Sequence, residues 1–141
     1  MNNTQAKSGL TDLIEKIREI TVTEEYDMRF SPGAANEEIT RFEQENNFSF
    51  PELVKEWLFF ADGCHLFNTT VQLYGIAHEP CVEANPAGIT GDYICIGVFN
   101  FGDPICVLDK SPKIYQYGET IIEYSDFKKF LEIVIDIGTG G

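Results

Sequence analysis

The chain has 141 residues and a formal net charge of −13 at pH 7, with 43% hydrophobic and 13% aromatic residues. That is the size and apolar content of one domain that builds its own core without staples. Residues 1–70 hold 13 acids and 6 bases, and residues 71–141 hold 10 and 4, so the acidity is spread over the whole surface. Such a surface repels nucleic acid, whose phosphates need Lys and Arg, and favours a basic partner.

The first predicted element is a helix. Leu10, Leu13, Ile14, Ile17 and Ile20 recur at helical spacing, Ser8 or Thr11 is placed to cap its start, and the β-branched run 20–23 is expected to stop it. Residues 24–33 read as a linker ending in Ser31-Pro32-Gly33. A second helix is expected from about Ala34 to Glu45, burying Ala35, Ile39 and Phe42, with Asn46-Asn47 ending it in the left-handed conformation that Asn tolerates. After the connector Phe48-Ser49-Phe50, Pro51 suits the start of a third helix, which presents Leu53, Trp57, Leu58 and Ala61 on one side and stops at Asp62-Gly63.

From Val71 the pattern changes to short apolar runs. Residues 71–76 read as a strand and residues 77–92, with Pro80, Pro86, Gly88 and Gly91, as a loop. Residues 93–109 read as a hairpin whose loop is Asn100-Phe101-Gly102-Asp103. A four-residue loop pairs Ile94, Ile96 and Val98 with Asp109, Val107 and Ile105. It places Ile94, Ile96, Val98, Ile105 and Val107 on one face and Cys95, Phe99, Cys106 and Leu108 on the other. Both faces being apolar, the hairpin is expected at the centre of the sheet, covered on each side by helix or loop. Residues 113–117 and 120–122 are further strands, Ser125 caps a final helix carrying Phe127, Phe130, Leu131 and Val134, and Gly138-Thr139-Gly140-Gly141 reads as a flexible tail. Helices, then consecutive strands, then a closing helix specify an α+β domain with a largely antiparallel sheet. It comprises an N-terminal helix and linker (1–33), a core (34–137) and the tail (138–141).

Catalytic and metal chemistry find little support. Cys64-His65 and His78-x-x-Cys81 supply a zinc inventory, but adjacent Cys64 and His65 are poorly spaced to bind one ion. A Cys–His hydrolase can be assembled from any of the four Cys and two His, so the sequence singles out none. The glycine-rich tail opens no helix and has no Lys, as a phosphate cradle requires. Tyr115 and Tyr117 beside Lys113 are explained by sheet packing. Glu79, Glu83, Asp92 and Asp103 form no metal or acid–base spacing and read as a solvated face or a contact surface for a basic protein. No enzyme, cofactor or metal is expected. Without a basic-then-apolar leader at residues 1–7 or a membrane-length apolar run, the chain is expected in the cytoplasm, with Cys64, Cys81, Cys95 and Cys106 all reduced.

The ordered set of motifs carries more. Ile39-Thr40-Arg41-Phe42-Glu43 leads to Phe50-Pro51, then to Trp57 through Gly63, then to Leu73-Tyr74-Gly75. Phe101-Gly102-Asp103, Cys106 through Asp109 and Ser125 through Leu131 follow. This succession, over roughly residues 35–135, resembles the SUKH superfamily of the Smi–Knr type. Phe50 stands where Leu is usual before the Pro, and Asp62 where Asn is usual before the Gly. The resemblance implies the α+β fold above. It also implies, for bacterial members, an immunity protein that binds and blocks a toxin, often a nuclease or deaminase, without turnover. A regulatory or scaffold protein is the alternative the resemblance leaves open, and an enzyme comes third. A cognate toxin with a basic surface is the expected partner. Glu79, Glu83, Asp92 and Asp103 are its expected contacts, and Tyr74 and Tyr93 are aromatic anchors. Neither nucleic acid nor membrane is an expected partner.

Overall fold

The computed structural model describes residues 9–77, 83–84 and 93–140. Helix α1 (Thr11–Thr23) precedes a short strand β1 (Arg29–Phe30), helices α2 (Asn36–Asn46) and α3 (Glu52–Phe60), and strands β2 (Cys64–Leu66) and β3 (Val71–Leu73). Strands β4 (Glu83–Ala84), β5 (Tyr93–Phe99), β6 (Pro104–Leu108), β7 (Ile114–Tyr117) and β8 (Ile121–Tyr124) follow, and helix α4 (Phe127–Gly138) closes the chain. The expected α+β class is the observed one. The sheet path is β1-β2-β3-β5-β6-β7-β8, with β4 paired to β5 beside it, and every pairing is antiparallel.

Side-chain alternation sorts the sheet into two faces. Leu66, Val71, Leu73, Ile94, Ile105, Val107, Ile114 and Tyr124 join one core with Ile17 of α1, Ile39 of α2, Trp57 and Leu58 of α3, and Phe127, Phe130 and Leu131 of α4. All four helices therefore pack on one face. No helix among the described residues is long and apolar enough to cross a membrane.

Several boundaries differ from the sequence reading. Helix α1 runs through the β-branched residues to Thr23. Thr21 Oγ1 bonds back to the Ile17 carbonyl at 2.7 Å, and β-branching costs only a few tenths of a kcal/mol per residue, so packing overrides it. Ser8 lies outside the described residues, and Thr11 makes no cap. Instead the N–H of Leu10 is taken by Glu56 Oε1 from α3 at 3.0 Å. Helix α2 starts two residues later than expected, with Ala35 as its exposed N-cap and Ala34, just before it, buried, while Asn47 ends the helix at φ 50° as expected. Pro51 precedes α3 by one position. Asp126 caps α4 by accepting from Lys129 N at 2.9 Å, the role given to Ser125 in the sequence reading. Helix α4 also takes in Gly138, first residue of the expected tail, where a Cβ would strike the Phe67 ring.

Strands β1 and β2 were not expected, and β4 falls in the expected loop. In the hairpin, Ile94 pairs with Val107 and Val98 with Pro104, not with Asp109 and Ile105 as expected. Cys95 pairs with Cys106 but Gly97 with Ile105, so the register slips by one residue at a bulge around Ile96. The slip exchanges the faces of Val98 and Phe99: Phe99 enters the core, and Val98 lies beside Pro104 and Gln72 on the opposite face. Gly97 is required there, because a Cβ would come within 2.5 Å of the Gln72 carbonyl oxygen. The hairpin is central, as expected; helices cover one of its faces, and no helix among the described residues covers the other.

Candidate partner-binding face

The face of the sheet opposite the helices is assembled by register. Tyr93, Cys95, Val98, Pro104, Cys106, Leu108, Tyr115 and Tyr117 fall on it, with His65 and Gln72 towards β1 and Ile121 and Glu123 on β8. No helix among the described residues covers it, yet Cys95, Cys106 and Tyr115 are buried.

Three tyrosines organise its centre. Tyr93 meets Tyr115 edge-on at 5.5 Å between ring centroids and Tyr117 at 5.1 Å. Tyr93 and Tyr117 remain half-buried, so each offers ring surface and a phenol. Burial, followed by the bond with Tyr93, pushes the Tyr117 hydroxyl above the ordinary phenol value, so it stays a neutral donor. Ile121, 57% exposed, extends the apolar surface beyond Tyr117. At the rim, Lys113 and Glu123 pair at 3.1 Å. A half-buried aromatic cluster bounded by exposed polar groups is the kind of surface that anchors a protein partner.

The expected contact residues distribute unevenly. Tyr93 lies in this cluster. Glu83 belongs to β4 and pairs with Cys95 at the same end of the sheet, where β3 has left the edge of β5 and β4 takes it up. Glu79 and Asp92 lie outside the described residues, as do His78 and Cys81. Tyr74 is half-buried on the helix-packed side, lining an interior gap with Trp57, Leu73 and Phe127. Asp103 is half-buried and engaged: it accepts from Gln116 Nε2 at 3.0 Å, and Gln116 Oε1 accepts from the Tyr124 hydroxyl at 2.6 Å. That chain of bonds ties the hairpin loop to β7 and β8. Tyr115 and Tyr117, which sequence reasoning assigned to packing, join Tyr93. The only sequence signal for them was alternation within one strand.

Cys64 and His65 are adjacent strand residues and point to opposite faces, which denies them a shared ion. Burial pushes the Cys64 thiol up to about 12, leaving it inert as a nucleophile. Among the described residues no three His, Cys, Asp or Glu side chains are placed to hold a metal ion.

The family motifs acquire physical roles. Asp62 is fully buried, and its carboxylate accepts from the backbone N–H of Ile76 at 2.6 Å and of Ala77 at 2.9 Å. It thus fixes where the chain leaves β3 and enters the segment that returns at Tyr93. Residues 33–133 match the family described as the SMI1 / KNR4 family (SUKH-1), which is more than half of the chain. No curated protein matches the chain.

Proposed function

Because the chain belongs to the SMI1 / KNR4 (SUKH-1) family, we propose that it is a cytoplasmic immunity protein that neutralises a cognate toxin by stoichiometric binding, without turnover. The family match carries this reading. The net charge of −13 agrees with it, since toxins that act on nucleic acid carry basic clefts that an acidic inhibitor can occupy.

The face opposite the helices is the proposed contact surface. Tyr93 and Tyr117 serve as anchors, and Glu79, Glu83 and Asp92 supply the charge that steers a basic partner toward them. Aromatic anchors in a half-desolvated setting hold most of the energy of such contacts, while rim charges set the association rate. Asp103, tied to Gln116, is assigned to holding the hairpin loop.

The test is co-expression with a toxin domain, should a neighbouring gene encode one. Protection of the host by the wild-type chain, lost in Tyr93→Ala/Tyr117→Ala while the variant still unfolds cooperatively, supports both function and face. Absence of protection by the wild-type chain rejects the immunity role, and protection by the double variant rejects the face.

A further inference from the structure

The centre of the sheet holds two thiols in direct opposition. Cys95 of β5 and Cys106 of β6 are register partners, both are buried, and neither is in a disulfide. Directly opposed residues of antiparallel strands have Cα atoms about 4.5–5.5 Å apart, inside the roughly 4.4–6.8 Å window that a disulfide spans. The two side chains lie on the same face, and each thiol is close enough to feel the other. Cys95 Sγ also contacts the Gly97 carbonyl at 3.2 Å, across the bulge. Cys64 is on the other face, in the helix-packed core.

We propose that Cys95 and Cys106 are a reversible oxidation site that closes a cross-strand disulfide by exchange with a low-molecular-weight disulfide of the glutathione class. The Cys95 thiolate attacks one sulfur of the oxidant, forming a mixed disulfide and releasing one small thiolate. The Cys106 sulfur, having given up its proton, then attacks the Cys95 sulfur and releases the second. Two protein thiols are oxidised to one disulfide, one small disulfide is reduced to two thiols, and the two protons end on those thiols. Burial makes the exchange slow, because the thiolate forms and the oxidant enters only when the sheet opens locally. The bond, once closed, joins β5 to β6 in the row that also holds Tyr115.

The full-length native chain, incubated to equilibrium in glutathione buffers of increasing disulfide content and quenched in acid, tests this by intact mass and peptide mapping. The expected result is loss of two hydrogens, with a cross-link joining the Cys95 and Cys106 peptides. Cys64 remains alkylatable, reduction reverses the change, and the oxidised form melts at a higher temperature than the reduced one. Cys106→Ser should abolish the mass loss, and the wild-type map decides alone if that variant does not fold. No mass loss in the most oxidising buffer overturns the proposal. So does a bridge through Cys64 or Cys81, or a glutathione adduct that persists without closing.

Discussion

Gly75 passes so close to Asp62 that a Cβ on it would lie 2.7 Å from Asp62 Oδ1 and closer still to the Asp62 carbonyl oxygen. The same carboxylate accepts from the two backbone amides after Gly75. The Asp62-Gly63 dipeptide just beyond α3 and the Leu73-Tyr74-Gly75 segment at the end of β3 are therefore one device: a buried carboxylate and the bare backbone it requires.

Asp62→Ala leaves the part-buried N–H groups of Ile76 and Ala77 without their carboxylate acceptor. Each such bond contributes about 1.5–3 kcal/mol, so urea unfolding should show a loss of at least about 2 kcal/mol. Gly75→Ala should also destabilise, through contact with the Asp62 backbone. Wild-type stability in either variant would show that the chain can leave β3 by another route.

Trp57 is almost completely buried, and its indole nitrogen makes no full hydrogen bond, the Cys64 thiol being close enough to feel it. Trp57→Ala should cost about 3–5 kcal/mol through the cavity it opens. Trp57→Phe should cost much less, because it removes an unsatisfied donor together with the lost volume. Equal losses in the two variants, read from denaturant midpoints, would contradict this.

The Cys64 thiol gives the fold a sensitivity to alkali. Burial raises it from its ordinary 9.0 to about 12 in the folded chain. Above pH 9 the unfolded chain therefore releases this proton while the folded chain keeps it. Its contribution to stability is complete below the unfolded value and is lost as pH rises toward about 12. Cys64→Ala should flatten the fall in unfolding free energy over that range. An unchanged slope would mean that the thiol ionises in place.

Much of the fold was legible in the sequence because the helices carry long apolar stripes, and Ile17, Ile39, Trp57 and Phe130 all reach the core. The missed strands are short: β1 and β4 each have two residues, and β2 has three. Elements of that length are held by their neighbours and leave no periodicity of their own. The bulge at Ile96 was hidden for a different reason. Residues 94–99 are apolar apart from Gly97, so no polar position marks the slip that sends Phe99 inward and Val98 outward. The tyrosine cluster depends on that pairing. Tyr93 and Tyr117 meet only once β5, β6 and β7 are in register, whereas Asp103, which reads as a free loop acid, is engaged by Gln116 from β7.

If Glu79 and Glu83 steer a basic toxin, association should slow as salt rises, because exposed charges are screened beyond about 8 Å at physiological ionic strength. Dissociation, governed by packed contacts, should change less. Glu79→Lys/Glu83→Lys should lower the association rate in surface plasmon resonance while leaving thermal stability nearly unchanged. A salt-independent association rate, or normal binding by the double variant, would remove this segment from the interface.

Calorimetric titration of the chain into a toxin domain from a neighbouring gene, with toxin activity read on the same samples, bears most directly on the proposed immunity role. The expected result is a one-to-one complex in which toxin activity falls in proportion to the chain added. Tyr117→Ala, still folded, should bind at least about 30-fold more weakly, the loss of roughly 2 kcal/mol that marks an anchor residue. Full toxin activity in the presence of excess wild-type chain would contradict it.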